Sequence, residues 1–94
     1  MRVHLEFLGL SRLVAGVTEI SLDLEEGTTF RDIVPKLGTT YPAMRESVSR
    51  PDSETLQNPN AFSLNAKRMI QASQMNDRPS DGDRIILMSM SIGG

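Results

Sequence analysis

The 94-residue sequence contains no cysteine and no tryptophan, and it has a single histidine. Without thiols the chain has no disulfide, no thiolate zinc site and no cysteine nucleophile, and this composition suits the cytoplasm. One histidine argues against a multi-histidine metal site or a histidine-based catalytic triad. His4 falls on the polar face of a predicted strand, so we interpret it as an exposed residue rather than a ligand. No bound metal or cofactor is expected.

Positive charge and long apolar runs are also scarce. The net charge is −2 at pH 7, which argues against a nucleic-acid partner. No apolar run approaches the ~20 residues that a membrane-spanning helix needs, and no signal peptide opens the chain. Nucleophile-elbow, phosphate-loop and metal-ligand motifs are absent as well. We therefore expect a cytoplasmic protein that binds neither nucleic acid nor membrane, and a stand-alone hydrolase is the least expected function.

Two stretches near the N-terminus alternate apolar and polar residues, as half-buried strands do. The apolar positions are Val3, Leu5 and Phe7 in the first stretch and Ile20, Leu22 and Leu24 in the second. A short connector, residues 9–16, joins them, so the pattern predicts an antiparallel hairpin. Leu13 and Val14 in this connector are expected to fold back onto the core.

A helix is predicted after the hairpin. Its apolar stripe, with spacing i, i+3, i+4 and i+7, consists of Phe30, Ile33, Val34 and Leu37. Thr29 and Asp32 resemble a capping box at its start, and Gly38 is expected to follow its last turn.

The second half of the chain is predicted to hold shorter elements. A short helix is expected to begin near Tyr41-Pro42. A polar loop over residues 49–60 follows it and is expected to be mobile. Two short strands then flank Asn65-Ala66, as in a β-hairpin.

The order of elements favours the α+β class and a β-grasp arrangement. We expect a mixed sheet of four to five strands, with one main helix across one face and with the first and last strands as parallel neighbours. Residues 1–88 would form this domain, and residues 89–94 a flexible tail that ends in two glycines.

The last strand carries a candidate docking surface. The charge of Arg84 predicts that it faces solvent, together with Ile86 and Met88, while Ile85 and Leu87 face the helix. Arg84, Ile86 and Met88 would then form a partly apolar patch beside the tail, and such patches often bind partners. The alternative is that the short helix or the 49–60 loop covers them.

Several segments are similar, in order and spacing, to those of a known family. They are residues 7–16, Thr29–Ile33, Tyr41–Glu46, Asp81–Ile85 and Gly93-Gly94. Together they resemble the ubiquitin-like sulfur carriers, a family that includes the small subunit of molybdopterin synthase, the thiamine sulfur carrier and archaeal modifiers. The resemblance covers nearly the whole chain. The tail before the glycines lacks the prolines common in molybdopterin-synthase subunits, and this difference leaves the biosynthetic pathway open.

The resemblance implies a function for the tail. An adenylating enzyme of the ubiquitin-activating type would use ATP to activate the Gly94 carboxylate, and a sulfur donor would then convert it to a thiocarboxylate. Met90, Ser91, Ile92 and Gly93 would thread the active sites of this enzyme and of a downstream sulfur-accepting synthase. The chain would be a carrier substrate, or a non-catalytic subunit of a synthase.

Two alternatives remain open at this point. The chain could be a ubiquitin-like modifier that is conjugated to lysines through Gly94. It could also be a non-covalent binding module, in which the tail is incidental.

Overall fold

The computed structural model describes residues 1–49, 56 and 60–89. These residues form a five-stranded sheet with the order β2-β1-β5-β3-β4. The strands are β1 (Arg2–Leu8), β2 (Glu19–Asp23), β3 (Asn60–Leu64), β4 (Arg68–Met69) and β5 (Arg84–Ser89). The helices are α1 (Leu10–Ala15), α2 (Phe30–Thr40) and α3 (Met44–Ser47), with a 3-10 turn at Ala72–Gln74. The predicted α+β class and mixed sheet are confirmed.

The last strand lies in the middle of the sheet. β5 runs parallel to β1, with Leu5 opposite Ile85, and antiparallel to β3, with Phe62 opposite Leu87. β1 in turn pairs antiparallel with β2. The predicted parallel pairing of the first and last strands is therefore confirmed. Because β5 has a hydrogen-bonded strand on each side, its position is fixed along its whole length.

The core lies between the sheet and α2. The apolar stripe of α2 packs on the inner face of the sheet, where the rings of Phe30 (α2) and Phe62 (β3) lie 6.2 Å apart. Ile85 and Leu87 belong to this core and are both 0% exposed, as predicted from the position of Arg84. Ile20 and Leu22 are only partly buried because they lie on β2, an edge strand.

The predicted capping box at the start of α2 is present. The amide of Asp32 donates to Thr29 Oγ1 at 3.2 Å, and the amide of Thr29 donates to Asp32 Oδ2 at 3.0 Å. The hydrogen bond from the Thr29 amide favours the ionised carboxylate and is the main cause of the lowered pKa of Asp32. The next two amides, of Phe30 and Arg31, donate to the carbonyls of Asp77 and Met75, so the residues after the 3-10 turn complete the cap.

The predicted end of α2 at Gly38 is wrong. The helix continues to Thr40, and Gly38 is a buried interior residue. A Cβ at Gly38 would lie 3.1 Å from Cγ of Arg45. Glycine at this position therefore allows the Arg45 side chain, on α3, to approach the α2 backbone closely. Sequence reasoning assigned the glycine to a helix end because that is the commoner use of glycine in helices.

The connector after β1 also differs from its prediction. It forms α1, and Leu13 on this helix is 81% exposed, so the prediction that Leu13 folds back onto the core is wrong. Val14, the next residue, is partly buried against the core as expected. Ser11 and Val14, three residues apart, share the inward side of α1, and Leu13 points about 100° away from Val14, toward solvent.

The hairpin at Asn65-Ala66 is confirmed, and the loop before it is only partly described. Asn65 and Ala66 have φ angles of 53° and 57°, and the amide of Lys67 donates to the carbonyl of Leu64 at 3.0 Å, so residues 64–67 form a tight turn. Ser49 and Leu56 form an isolated antiparallel bridge within the 49–60 segment. The predicted mobility of that loop concerns residues that lie largely outside those described.

The turn before β5 is held by polar side chains, and we call this region the turn end of the sheet (residues 65–67 and 80–84 with the start of β1). Asp81 Oδ1 accepts from the amide of Arg2 at 2.7 Å. Asn65 Oδ1 accepts from the amide of Arg84 at 2.8 Å, and its Nδ2 donates to Asp83 Oδ1 at 3.2 Å. These side chains join the hairpin turn, the final turn and β1.

Candidate functional site

The candidate site lies at the opposite end, where β5 finishes and the tail begins. At this end Met88 pairs with Leu8 of β1, and Ser89 pairs with Asn60 of β3. The chain therefore leaves the sheet from a central strand that both neighbours hold in place. We call this region the tail end: the last residues of β1 and β5 together with α1. Gly94, Gly93, Ile92, Ser91 and Met90 lie outside the described residues.

A buried serine connects α1 to the base of the tail. Ser11 is 0% exposed, and its hydroxyl lies 2.8 Å from the carbonyl oxygen of Leu87 and 3.1 Å from that of Leu8. The one hydroxyl proton is shared between these two acceptors, which belong to the neighbouring strands β5 and β1. α1 has only six residues and no side-chain N-cap. This contact therefore fixes the position of α1 relative to Leu87, which is two residues before the end of β5.

The outer face of the sheet carries a small ion-pair network. Arg84 Nη1 lies 3.5 Å from Glu19 Oε2 and 3.8 Å from Glu6 Oε1. Glu6 and Glu19 are directly opposite each other on β1 and β2, where like charges are unfavourable. Arg84 is exposed as predicted, and its positive charge partly offsets the repulsion between the two carboxylates. Its guanidinium is therefore engaged within its own sheet.

Ile86 departs from its prediction. It lies on the outer face as expected, yet it is only 9% exposed, so the prediction that it is exposed is wrong. The physical reason is the central position of β5, because Glu6 on β1 and Ser63 on β3 flank Ile86 directly. Met88, on the same face and nearer the tail, is half-buried. Of the three predicted docking residues, Arg84 and Met88 keep accessible surface.

The exposed large hydrophobic side chains of the described residues gather at the tail end. They are Leu8, Leu10, Leu13 and Val17, which are 39, 38, 81 and 42% exposed. All four come from one ten-residue stretch at the end of β1 and around α1. This set was missed from the sequence because the connector was treated as a loop that covers the core. The spacing of Leu10 and Leu13, three residues apart in an apolar connector, was the available signal.

The described residues contain no group of three or more acidic or histidine side chains that could hold a metal ion. His4 is exposed on β1, opposite Arg84 of β5 and Ser21 of β2. No helix in the described part of the chain is long and apolar enough to cross a membrane. What the site offers is an exposed surface and the start of the segment that leads to Gly94.

Solved structures share this architecture. SAMP1 from Haloferax volcanii matches with a TM-score of 0.82 and 19% identity, over 100% of both chains. The fold is that of the ubiquitin-like sulfur carriers. Urm1 from Trypanosoma brucei matches with a TM-score of 0.71 and 26% identity, over 99% of this chain and 95% of that one.

A third structure points in the same direction. A Pyrococcus furiosus protein described as subunit 1 of a molybdopterin converting factor matches with a TM-score of 0.72 and 18% identity, over 95% of this chain and 97% of that one. No protein-family model and no curated protein matches the chain in sequence. The resemblance seen in the sequence is thus confirmed at the level of the β-grasp fold, which this chain shares with small ubiquitin-like proteins.

Proposed function

We propose that the protein is a sulfur carrier whose working group is the carboxylate of Gly94. The observation that carries the proposal is the position of β5, a central strand held on both sides that leads directly into the segment ending in Gly93-Gly94. A rigid body with a thin tail can present a terminal carboxylate inside the active site of another protein. The six residues from Ser89 to Gly94 span about 20 Å when extended.

The carboxylate needs activation before it can accept sulfur. A C-terminal carboxyl group has a pKa near ~3.5, so at neutral pH it is ionised and a poor electrophile. An adenylating enzyme would transfer AMP from ATP to the Gly94 carboxylate and release pyrophosphate. A sulfur donor at the oxidation level of sulfide would then attack the carbonyl carbon and displace AMP, which leaves a thiocarboxylate. On a downstream synthase the sulfur would pass to the acceptor, and water would supply the oxygen that restores the Gly94 carboxylate.

In this proposal the chain is not itself an enzyme and binds no cofactor, since ATP is consumed by the partner. It would work in the cytoplasm, where these partners are expected. Glycine suits the last two positions because it has no Cβ to obstruct attack in a narrow channel, and because it reaches backbone conformations closed to other residues. Met88, near the base of the tail, and Arg84, at the other end of β5, keep accessible surface and are proposed to contact partners.

A ubiquitin-like modifier is the second candidate function. Another solved structure with this fold, at 19% identity, is described as H. volcanii small archaeal modifier protein 1. Activation of Gly94 would be the same, but a target lysine rather than a sulfur donor would displace AMP. Intact mass of the protein purified from its native host separates the two functions. A carrier shows one oxygen replaced by sulfur, whereas a modifier appears joined to other proteins.

Deletion of Gly94 tests both functions. It moves the terminal carboxylate by about 3.5 Å, one extended residue. Misplacement by ~1 Å can cost ~100-fold in rate, so we expect at least that loss in AMP-adduct formation by mass spectrometry with the adenylating enzyme of the same organism. Addition of one residue after Gly94 should have the same effect. Both variants should melt like the wild type, and adenylation of either at the wild-type rate would leave only a non-covalent binding module.

A further inference from the structure

The tail end carries an exposed surface that the sheet itself does not explain. We call it the α1 surface and define it by five exposed residues of one ten-residue stretch: the apolar Leu8, Leu10, Leu13 and Val17, and the charged Arg12. The four apolar side chains are the exposed large hydrophobics of the described residues. Single exposed apolar residues are common, but a set confined to one stretch marks an interaction site. Leu13, at 81% exposed, contributes almost nothing to the fold where it lies.

The α1 surface has a fixed position relative to the tail. Ser11 lies inside the helix that carries Leu10 and Leu13, and its hydroxyl contacts the carbonyl of Leu87, two residues before the end of β5. Leu8 lies directly opposite Met88 in the sheet. A partner that binds this surface is therefore held at a set distance from the base of the tail.

The length of the tail decides which partner covers this surface. Because the tail spans about 20 Å at most, an enzyme that acts on Gly94 must bring its own body close to the end of β5. The α1 surface lies at that end, where such an enzyme can cover it. The outer face is less suited to binding, because Ile86 is already shielded and Arg84 is engaged with two carboxylates.

The charge of the surface points to the chemistry of the partner. Arg12 is the only charged residue between Glu6 and Glu19. It is exposed, and among the described residues its guanidinium forms no ion pair. Arginine within an apolar surface is a frequent anchor in protein interfaces, where it pairs with a carboxylate of the partner.

We propose that the α1 surface is the docking surface for the adenylating enzyme, which meets it with apolar side chains and at least one carboxylate opposite Arg12. This inference rests on the proposed function and assigns the adenylating enzyme to one surface of the protein. Docking through α1 would place the start of the tail at the entrance of the enzyme's active site, with the chain directed along β5.

The test measures steady-state adenylation of the full chain by the purified adenylating enzyme of the same organism. Leu13→Glu should raise the KM for the carrier about tenfold or more and leave kcat within about twofold, because a docking residue acts before chemistry. Arg12→Glu should raise KM in the same way. Ala72→Glu and Arg78→Glu, at exposed positions away from α1, make the same charge changes and should keep the wild-type KM.

The outcomes are distinguishable. If the wild type is adenylated and both α1 variants keep its KM, the docking inference is wrong and the proposed function stands. If the wild type is not adenylated at all, the proposed function fails with it. If sedimentation shows a wild-type dimer that Leu13→Glu dissociates without a change in KM, the surface joins two copies of this chain and the inference is overturned.

Leu13→Gln, uncharged and compatible with a helix, repeats the test if Leu13→Glu melts lower. Ile86→Asp is avoided because it would bury a carboxylate.

Discussion

The two ends of the sheet are built in opposite ways. At the turn end, Asp81, Asp83 and Asn65 use their side chains to satisfy backbone groups, and Arg2 forms a 2.9 Å ion pair with Asp23. That pair lowers the pKa of the Asp23 carboxyl, through the hydrogen bond first and the charge second. At the tail end the side chains are mostly apolar, several are exposed, and one buried hydroxyl joins the elements.

This difference between the two ends indicates that the turn end serves stability and that the exposed surface of the tail end serves binding. Polar groups at the turn end find their partners within the chain, so that end is complete as it stands. The tail end leaves apolar surface in water, which costs free energy unless another molecule covers it. The comparison predicts that changes at the turn end alter stability, whereas changes on the outside of the tail end alter binding alone.

The largest expected effect contrasts an inner leucine with an outer leucine of the same tail end. Leu87→Ala should lower the free energy of unfolding by about 2–5 kcal/mol, because it leaves a cavity in the core. Leu13→Ala, at an 81% exposed position, should change it by less than about 0.5 kcal/mol. Urea denaturation of both variants measures the contrast. Equal losses of stability in the two variants would mean that Leu13 packs as part of the core, which would contradict the distinction between buried and exposed residues at the tail end.

An intermediate effect is expected at Ser11. Ser11→Ala removes the hydroxyl that the carbonyls of Leu8 and Leu87 share. A typical intramolecular hydrogen bond contributes about 0.5–1.5 kcal/mol net, so stability should fall by about that amount. Hydrogen exchange should show the amides of α1 losing protection before those of β2, on the far side of β1 from β5. Ser21→Ala, on the exposed face of β2, is the matched control and should leave both measurements unchanged. Uniform loss of protection would show that Ser11 acts on the whole fold rather than on the position of α1.

The smallest effect concerns the turn end and has the opposite sign. Ala66 has a φ of 57°, a conformation that suits glycine better than alanine. Ala66→Gly should therefore raise stability by about 0.5–1 kcal/mol, once the greater flexibility of unfolded glycine is subtracted. Ala72→Gly, in the exposed 3-10 turn and without a positive φ, should lower stability instead. Thermal melting compares the two, and a destabilised Ala66→Gly would show that the turn carries no strain.

Much of the fold could be predicted from local patterns. The alternation around Leu5 and the capped stripe after Thr29 predict their strand and helix correctly, because apolar periodicity and capping are local properties. The faces of β5 also follow from the single charge of Arg84, since side chains alternate along a strand. The turn at Asn65-Ala66 could likewise be found from its position between two short apolar runs.

What the sequence by itself determined is the order of elements, the inner side of each and the glycine-rich tail. Tertiary structure decided how far each side chain is exposed. Ile86 is shielded because β5 is a central strand. Leu13 is exposed because the hydrogen bond from Ser11 holds the opposite side of α1 against the sheet. Gly38 is an interior residue of α2, where the side chain of Arg45 packs closely against the backbone. Periodicity reports which way a residue points along its own element, but burial depends on neighbours that are distant in sequence, and only the folded chain brings those together.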